Sequence, residues 1–300
     1  MAFVVATFNL KDFFLEPRDA FEAKVAWTAD MLRRVDADVV AMQEVGPPEA
    51  IDALVARLGG VYGERVVGSA DARGIRCALL SRVRIIRSAV RTSDALPFPR
   101  FVAGDAAPFG ERLPLRRGVV HARVDAGALR EVDVFVAHFK SRRAVPLRDA
   151  DGNALWGDTP LARAESDVRS MVWRSAEALF VRALVDDTVA AEPGAKVVVA
   201  GDLNDVAGST TLAVVQGRAD SPGALASCAD LVPAAERFSI LHRGDRAALD
   251  HLLVTAPLRA RLREARFFND QLREHAPLPA DGIAAPTVDS DHAPFVARFV

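Results

Sequence analysis

Short apolar runs rich in β-branched residues and bounded by turn signals recur along the whole chain, at 3–8, 38–42, 77–80, 118–124, 132–137, 196–200, 249–255 and 294–299. Most are apolar at every position, the pattern of strands covered on both faces. Helical periodicity fills the gaps. Phe21, Val25, Ala29 and Leu32 share one face, as do Ile51, Leu54, Val55 and Leu58 before the Gly59-Gly60 stop, and a longer stripe runs through Val168, Met171, Val172 and Leu179. Thr159 followed by Pro160 predicts an N-cap and first-turn proline for this third helix. No internal repeat or low-complexity linker interrupts the alternation, so residues 1–300 read as one α/β domain. Two connections, 93–116 and 141–158, are longer than joints need to be, and long ordered loops usually carry function.

Polar residues stand at the ends of the apolar runs, where an α/β architecture presents its site. Asn9 follows FVVATF, Glu44 closes DVVAMQE, His138 follows VDVFVA, Asp202 follows KVVVAG, Asp250 opens DHLLV, and Asp291-His292 precedes the last run. Each alone reads as a turn residue, but six such positions together point to a site. In GDLND the glycine allows a bend, and Asp202 and Asn204 point to one side if the chain stays extended. A carboxylate there can hold or deprotonate a water while the amide donates to an oxyanion. Asp291 and His292 are adjacent and diverge on an extended segment, which leaves Asp250 as the acid to orient His292.

Composition narrows the function classes. Half of the 300 residues are hydrophobic and 26% are charged, as in ordinary globular chains, and no run approaches the roughly 18 apolar residues of a membrane span. The N-terminus shows no export signal pattern, and the two cysteines, Cys77 and Cys228, form neither a disulfide framework nor a zinc motif. The expectation is a cytoplasmic protein. With 38 basic and 40 acidic residues the net charge is −2, so any polyanion site is local. Only four of the basic residues are lysines, and Lys140, Arg76, Arg116 and Arg117 lie near strand ends, either facing a phosphate or simply on the surface.

TFNLKDFF, AMQEV, AHFKS, GDLND, LDHLLV and SDHAPF resemble, in order and spacing, the motifs of the endonuclease/exonuclease/phosphatase superfamily. This superfamily includes deoxyribonuclease-I-like and abasic-site nucleases, sphingomyelinases and inositol-polyphosphate phosphatases. The resemblance implies a four-layer α/β/β/α sandwich of two mixed sheets with outer helices, and a divalent-metal phosphoesterase site on one rim. It implies Glu44 as the principal magnesium ligand with Asn9 and Asp291 beside it, and Asp202 as the group that activates water. By the same resemblance Asn204 and His138 hold phosphoryl oxygens, and the Asp250–His292 pair stabilises the transition state. Where abasic-site nucleases carry an acid two residues after the asparagine, this chain has Lys11, which counts against that assignment and against a second metal position. The oxygen donors, without a Cys or His cluster, suit Mg²⁺ or Mn²⁺.

The functional expectation is therefore an Mg²⁺-dependent phosphoesterase, a nuclease before a lipid-headgroup or sugar-phosphate phosphatase. A phosphate-binding scaffold of the same fold is the non-enzymatic alternative. In the 141–158 loop, Arg142, Arg143 and Arg148 are candidates for phosphate contact. Trp156 in that loop either anchors it on the core or stacks on a base.

Overall fold

The apolar runs all form strands. The computed structural model describes residues 2–97, 113–151, 153–157, 159–242, 244–275 and 287–300. In chain order the elements are β1 (Phe3–Phe13), α1 (Arg18–Val35), β2 (Val39–Val45), α2 (Pro48–Arg57), β3 (Glu64–Val67), β4 (Arg76–Ser81), β5 (Ile85–Arg91), β6 (Val119–Asp125) and β7 (Glu131–His138). There follow β8 (Leu147–Arg148), β9 (Ala154–Leu155), α3 (Pro160–Ala191), β10 (Val197–Asp202), α4 (Thr210–Gln216), β11 (Leu225–Ser227), β12 (Ile240–His242), β13 (Asp245–Ala247), β14 (Asp250–Thr255), α5 (Ala256–Arg259), β15 (Leu262–Phe267) and β16 (Phe295–Phe299).

Two six-stranded mixed sheets are built, in the orders β15-β16-β1-β2-β4-β3 and β11-β14-β10-β7-β6-β5. Alternation along each strand sends one set of side chains to each face. Val5, Val39, Ala41 and Leu79 of the first sheet meet Val134, Val136, Val198, Ala200 and Leu252 of the second in the central layer. The opposite face of the first sheet, with Ala6, Phe8, Val40 and Met42, is covered by Ala29 and Leu32 of α1 and Ile51 and Leu54 of α2. That of the second sheet, with Phe135, Val197 and Val199, is covered by Ala178, Val181 and Val185 of α3 and Leu212 of α4. The result is the α/β/β/α sandwich.

Near the middle of each sheet lies a parallel pair, β1 with β2 and β7 with β10. Both pairs end at the rim that carries the polar residues, so the topology gathers four strand ends there.

Thr159 caps α3 as its sequence predicts, its hydroxyl accepting from the Ala162 N–H at 3.2 Å. The stripe on that helix is a correction. Val168 and Met171 are 49% and 46% exposed, and the buried face instead carries Ser166, Ser170, Arg174 and Glu177. Trp156 is 51% exposed, so it does not anchor its loop on the core. Within the 141–158 segment, residues 147–148 and 154–155 pair as the small β8-β9 ribbon. Of the other long connection, residues 98–112 lie outside the described residues.

Candidate active site

One row of residues crosses the second sheet at the rim. His138 is the register partner of Asp202, and Asp202 of Asp250. Neighbours in register project from the same face, and here it is the face that Val136, Ala200 and Leu252 present to the central layer. The three polar side chains thus extend the inter-sheet core to its open end. From the opposing sheet, Asn9 continues the same inward-facing set as Val5 and Thr7.

The Asp202 Oδ2 atom is the focus of the arrangement. Asn9 Nδ2 donates to it at 3.0 Å and Asn204 Nδ2 at 3.2 Å, while His138 Nε2 lies 3.6 Å and His292 Nε2 3.9 Å away. Burial pushes the Asp202 carboxyl up, and the nearby His292 charge only partly restrains this. His292 Nδ1 meets Asp250 Oδ2 at 2.7 Å. Burial alone opposes charging of this imidazole, but Asp250, with Asp202 and Asp291 around it, keeps it ionised well above the ordinary histidine range. His138 behaves in the opposite way. Burial, then the Arg117 and His292 charges, hold it neutral.

Three buried groups fix the chain segments that bear these side chains. The Ser290 hydroxyl donates to the Asn9 carbonyl at 2.8 Å and accepts the His292 N–H at 3.0 Å, pinning the SDHAP turn to β1. The Ser239 hydroxyl accepts from the N–H groups of Leu249 and Asp250. Arg117, ion-paired with Asp71 at 3.1 Å, donates to the His138 carbonyl at 3.3 Å. SDHAP contains the first of these residues, but nothing in the sequence pattern singles out Ser239 or Asp71.

Backbone conformation supplies what alternation does not. Four of the six non-glycine residues with positive φ among the described residues are Lys11, Asp12, Glu44 and Asn204, all at the site. By alternation Glu44 belongs with Val40 and Met42 on the helix-covered face of its sheet. Instead its left-handed conformation and the break in register between Met42 and Val45 re-aim it to the rim. There Oε1 accepts from Asn9 Nδ2 at 3.3 Å and Oε2 from the Asp12 N–H at 3.1 Å. Asn204 is not extended, as the sequence reading assumes. It turns back so that its own N–H donates to Asp202 Oδ1 at 2.9 Å and its amide to the Phe139 carbonyl. The glycine of GDLND answers a close approach: a Cβ on Gly201 would lie 1.8 Å from the Ala137 carbonyl oxygen.

Of the eight sequence-derived site residues, seven form this connected set. Asp291 turns aside, with Oδ2 held by the Lys11 ammonium at 2.7 Å. Of the additional cations only Arg117 supports the set, from behind His138; Lys140 Nζ is spent on the Ser141 and Arg143 carbonyls, Arg116 lies over the Trp173 ring, and Arg76 bonds the Gly74 carbonyl.

A divalent cation fits at Glu44. Each of its oxygens accepts one hydrogen bond and retains a lone pair, and the carboxylate is half-buried at the rim. Mg²⁺ characteristically takes one or two carboxylates and keeps several waters for substrate oxygens to replace. Among the described residues no three acid, histidine or cysteine side chains form a fuller cage.

Comparison with solved structures finds the same fold. TDP2 from D. rerio complexed with a single-strand DNA product superposes with a TM-score of 0.61 at 13% identity, covering 100% of this chain and 99% of that one. The Bacteroides thetaiotaomicron mannosyl-6-phosphatase gives 0.62 at 15%, covering 99% of each chain. TDP2 from C. elegans gives 0.59 at 16%, covering 100% and 74%. No curated protein sequence matches significantly. The model of the Endonuclease/Exonuclease/phosphatase family matches residues 6–292, and the chain belongs to that family of phosphate-ester hydrolases.

Proposed function

We propose that the protein is a divalent-metal-dependent phosphodiesterase that hydrolyses nucleic acid by direct attack of water on phosphorus. The observation that supports this most is the convergence of four side-chain nitrogens and the buried Asp250–His292 pair on one Asp202 oxygen. Asp202 accepts a proton from the attacking water, a role suited to a carboxylate of raised proton affinity. Asn9 and Asn204, both donating to Oδ2, hold that carboxylate in place. The His292 imidazolium, kept charged by Asp250, faces the negative charge that develops on the phosphoryl oxygens as the P–O bond to the leaving group breaks. Neutral His138 adds an uncharged donor to the same oxygens, whereas both hydrogens of the Asn204 amide are taken by Asp202 and the Phe139 carbonyl. Mg²⁺ or Mn²⁺, held by Glu44 with Asn9 adjacent, supplies Lewis-acid stabilisation when bound.

Exposed Trp156, on the same 141–158 segment as exposed Arg142 and Arg143, favours a polymeric substrate, because bases stack on open rings while guanidinium groups meet phosphates. The similarity to the mannosyl-6-phosphatase favours a second reading, a sugar-phosphate monoesterase using the same rim. A panel of single- and double-stranded DNA, RNA and sugar phosphates, run with Mg²⁺ and with excess chelator, separates the two. The proposal expects turnover of polynucleotide that chelation abolishes and Mg²⁺ or Mn²⁺ restores. Turnover confined to monoesters selects the second reading, undiminished activity in chelator removes the metal, and no turnover of any ester leaves the scaffold.

A further inference from the structure

We propose that Lys11 is the resident cation of Asp291, so that a divalent metal in this protein binds through Glu44 without Asp291. The inference rests on the metal-dependent reading above. Asp291 Oδ2 is 2.7 Å from Lys11 Nζ, and the two side chains are only 21% and 33% exposed. The ammonium is not a loose surface charge. Lys11 sits at φ 49°, its N–H donates to Asn9 Oδ1 at 2.9 Å, and Nζ also reaches His275 Nδ1 at 2.6 Å. His275 in turn lies against Asp289 Oδ1 at 3.3 Å, so a carboxylate stands at each end of a Lys11–His275 link.

Two consequences follow from elementary electrostatics. A divalent ion bound to Asp291 at the usual Mg–O separation of about 2 Å would face the ammonium across the same carboxylate, in a partly buried setting where like charges repel strongly. Glu44, by contrast, has no cation on it among the described residues, where its hydrogen bonds come from an amide and a peptide N–H. The chain thus separates two anions of the rim, one neutralised from within and one left for a metal. Lys11 is then a positioning residue, which holds Asp291 and the adjacent His292 backbone in place of a metal ligand bond.

The test is Mn²⁺ titration followed by the loss of the free-ion electron paramagnetic resonance signal, which needs no turnover. Wild type is expected to bind one Mn²⁺, Glu44→Gln to lose about tenfold or more in affinity, and Asp291→Asn to stay within about threefold of wild type. Lys11→Met, nearly isosteric and uncharged, exposes the Asp291 carboxylate and is expected to tighten Mn²⁺ binding about tenfold or to add a second ion. Circular dichroism of each variant confirms folding. If Asp291→Asn weakens Mn²⁺ as much as Glu44→Gln does, or if folded Lys11→Met binds as wild type does, the proposal is overturned. Should wild type bind no Mn²⁺, the metal-dependent reading fails, and Lys11→Met alone decides: gained binding supports Lys11 as the excluding cation and no gain overturns it.

Discussion

Glu177 provides a direct test of how burial and charge compete behind the site. It lies on α3, 2% exposed, and accepts the Lys140 N–H two residues after His138. Burial pushes its carboxyl from 4.5 up to about 7, although the Lys140 N–H bond and the Arg117, Arg116 and Lys140 charges pull the other way. At about 1.4 kcal/mol per pKa unit, a rise of this size corresponds to about 3 kcal/mol. The sign follows from linkage. Between the two values the folded state holds a proton that the unfolded chain has lost, so stability falls as pH rises from the unfolded to the folded value. Glu177→Gln keeps a carbonyl acceptor for Lys140 and removes the ionisation. Urea unfolding, followed by circular dichroism from about pH 5 to about pH 8, is therefore expected to show little difference at the acid end. At the alkaline end the variant is expected to lead by about 1–3 kcal/mol, with relaxation of the site accounting for the lower figure. A variant less stable than wild type at the alkaline end would refute the reasoning, because it would show the carboxylate ionised and net stabilised by its arginines. A difference that does not change with pH would refute it equally.

Gly201→Ala is expected to destabilise the fold by more than about 3 kcal/mol or to abolish soluble expression, since its Cβ would lie 1.8 Å from the Ala137 oxygen; a melting temperature equal to wild type would contradict the close approach. Asp202→Asn and His292→Ala should each lower kcat about 10²- to 10⁴-fold, and a folded variant with near-normal kcat would exclude its residue from the chemistry; His292→Ala should also lower the melting temperature, because it leaves the buried Asp250 carboxylate without its partner. Replacing Arg142 and Arg143 together by Ala should raise KM for a polynucleotide and flatten its salt dependence while sparing a small aryl phosphodiester, because each lost phosphate contact reduces counterion release. Equal losses on both substrates would assign these arginines to the catalytic centre.

Much of the site was legible because buried strands announce themselves. A run such as VVVAG has no polar position to spare, so the polar residue that bounds it marks the rim: Asn9, His138 and Asp202 follow their runs, and Asp250 precedes its own. The Asp250–His292 pair followed from the divergence of adjacent side chains and is present at 2.7 Å. Edge strands were less visible. In β5, IIRSAVR mixes charged and apolar positions because one side is open to water, and β15, LREARF, does the same. Conformation set the other limit. The direction of Glu44 depends on a left-handed residue and a register break, and the Asp202–Asn204 contact on a turn where the sequence suggested an extended segment. Neither leaves a mark in hydrophobic pattern, since asparagine, aspartate and glutamate are common at strand ends in any conformation.

The inverted face of α3 has a physical reason that only the site explains. A helix packed on a sheet normally buries its apolar stripe. The later turns of α3 do so, with Ala178, Val181 and Val185 on the second sheet. Its earlier turns lie beside the chain leaving β7 and β10, where buried peptide groups free of the sheet ladder, rather than apolar side chains, need a partner. Ser170 donates to the Ser141 carbonyl at 2.9 Å, Arg174 pairs with Asp205 at 3.0 Å, and Glu177 takes the Lys140 N–H. Unpaired buried peptide groups cost more than buried leucines would return, so the polar face turns inward and Val168 and Met171 are left outside. His138 and Asp202 are thereby held from behind by the same helix through the segments that follow them, with no side chain of α3 needed among the groups that converge on the Asp202 oxygen.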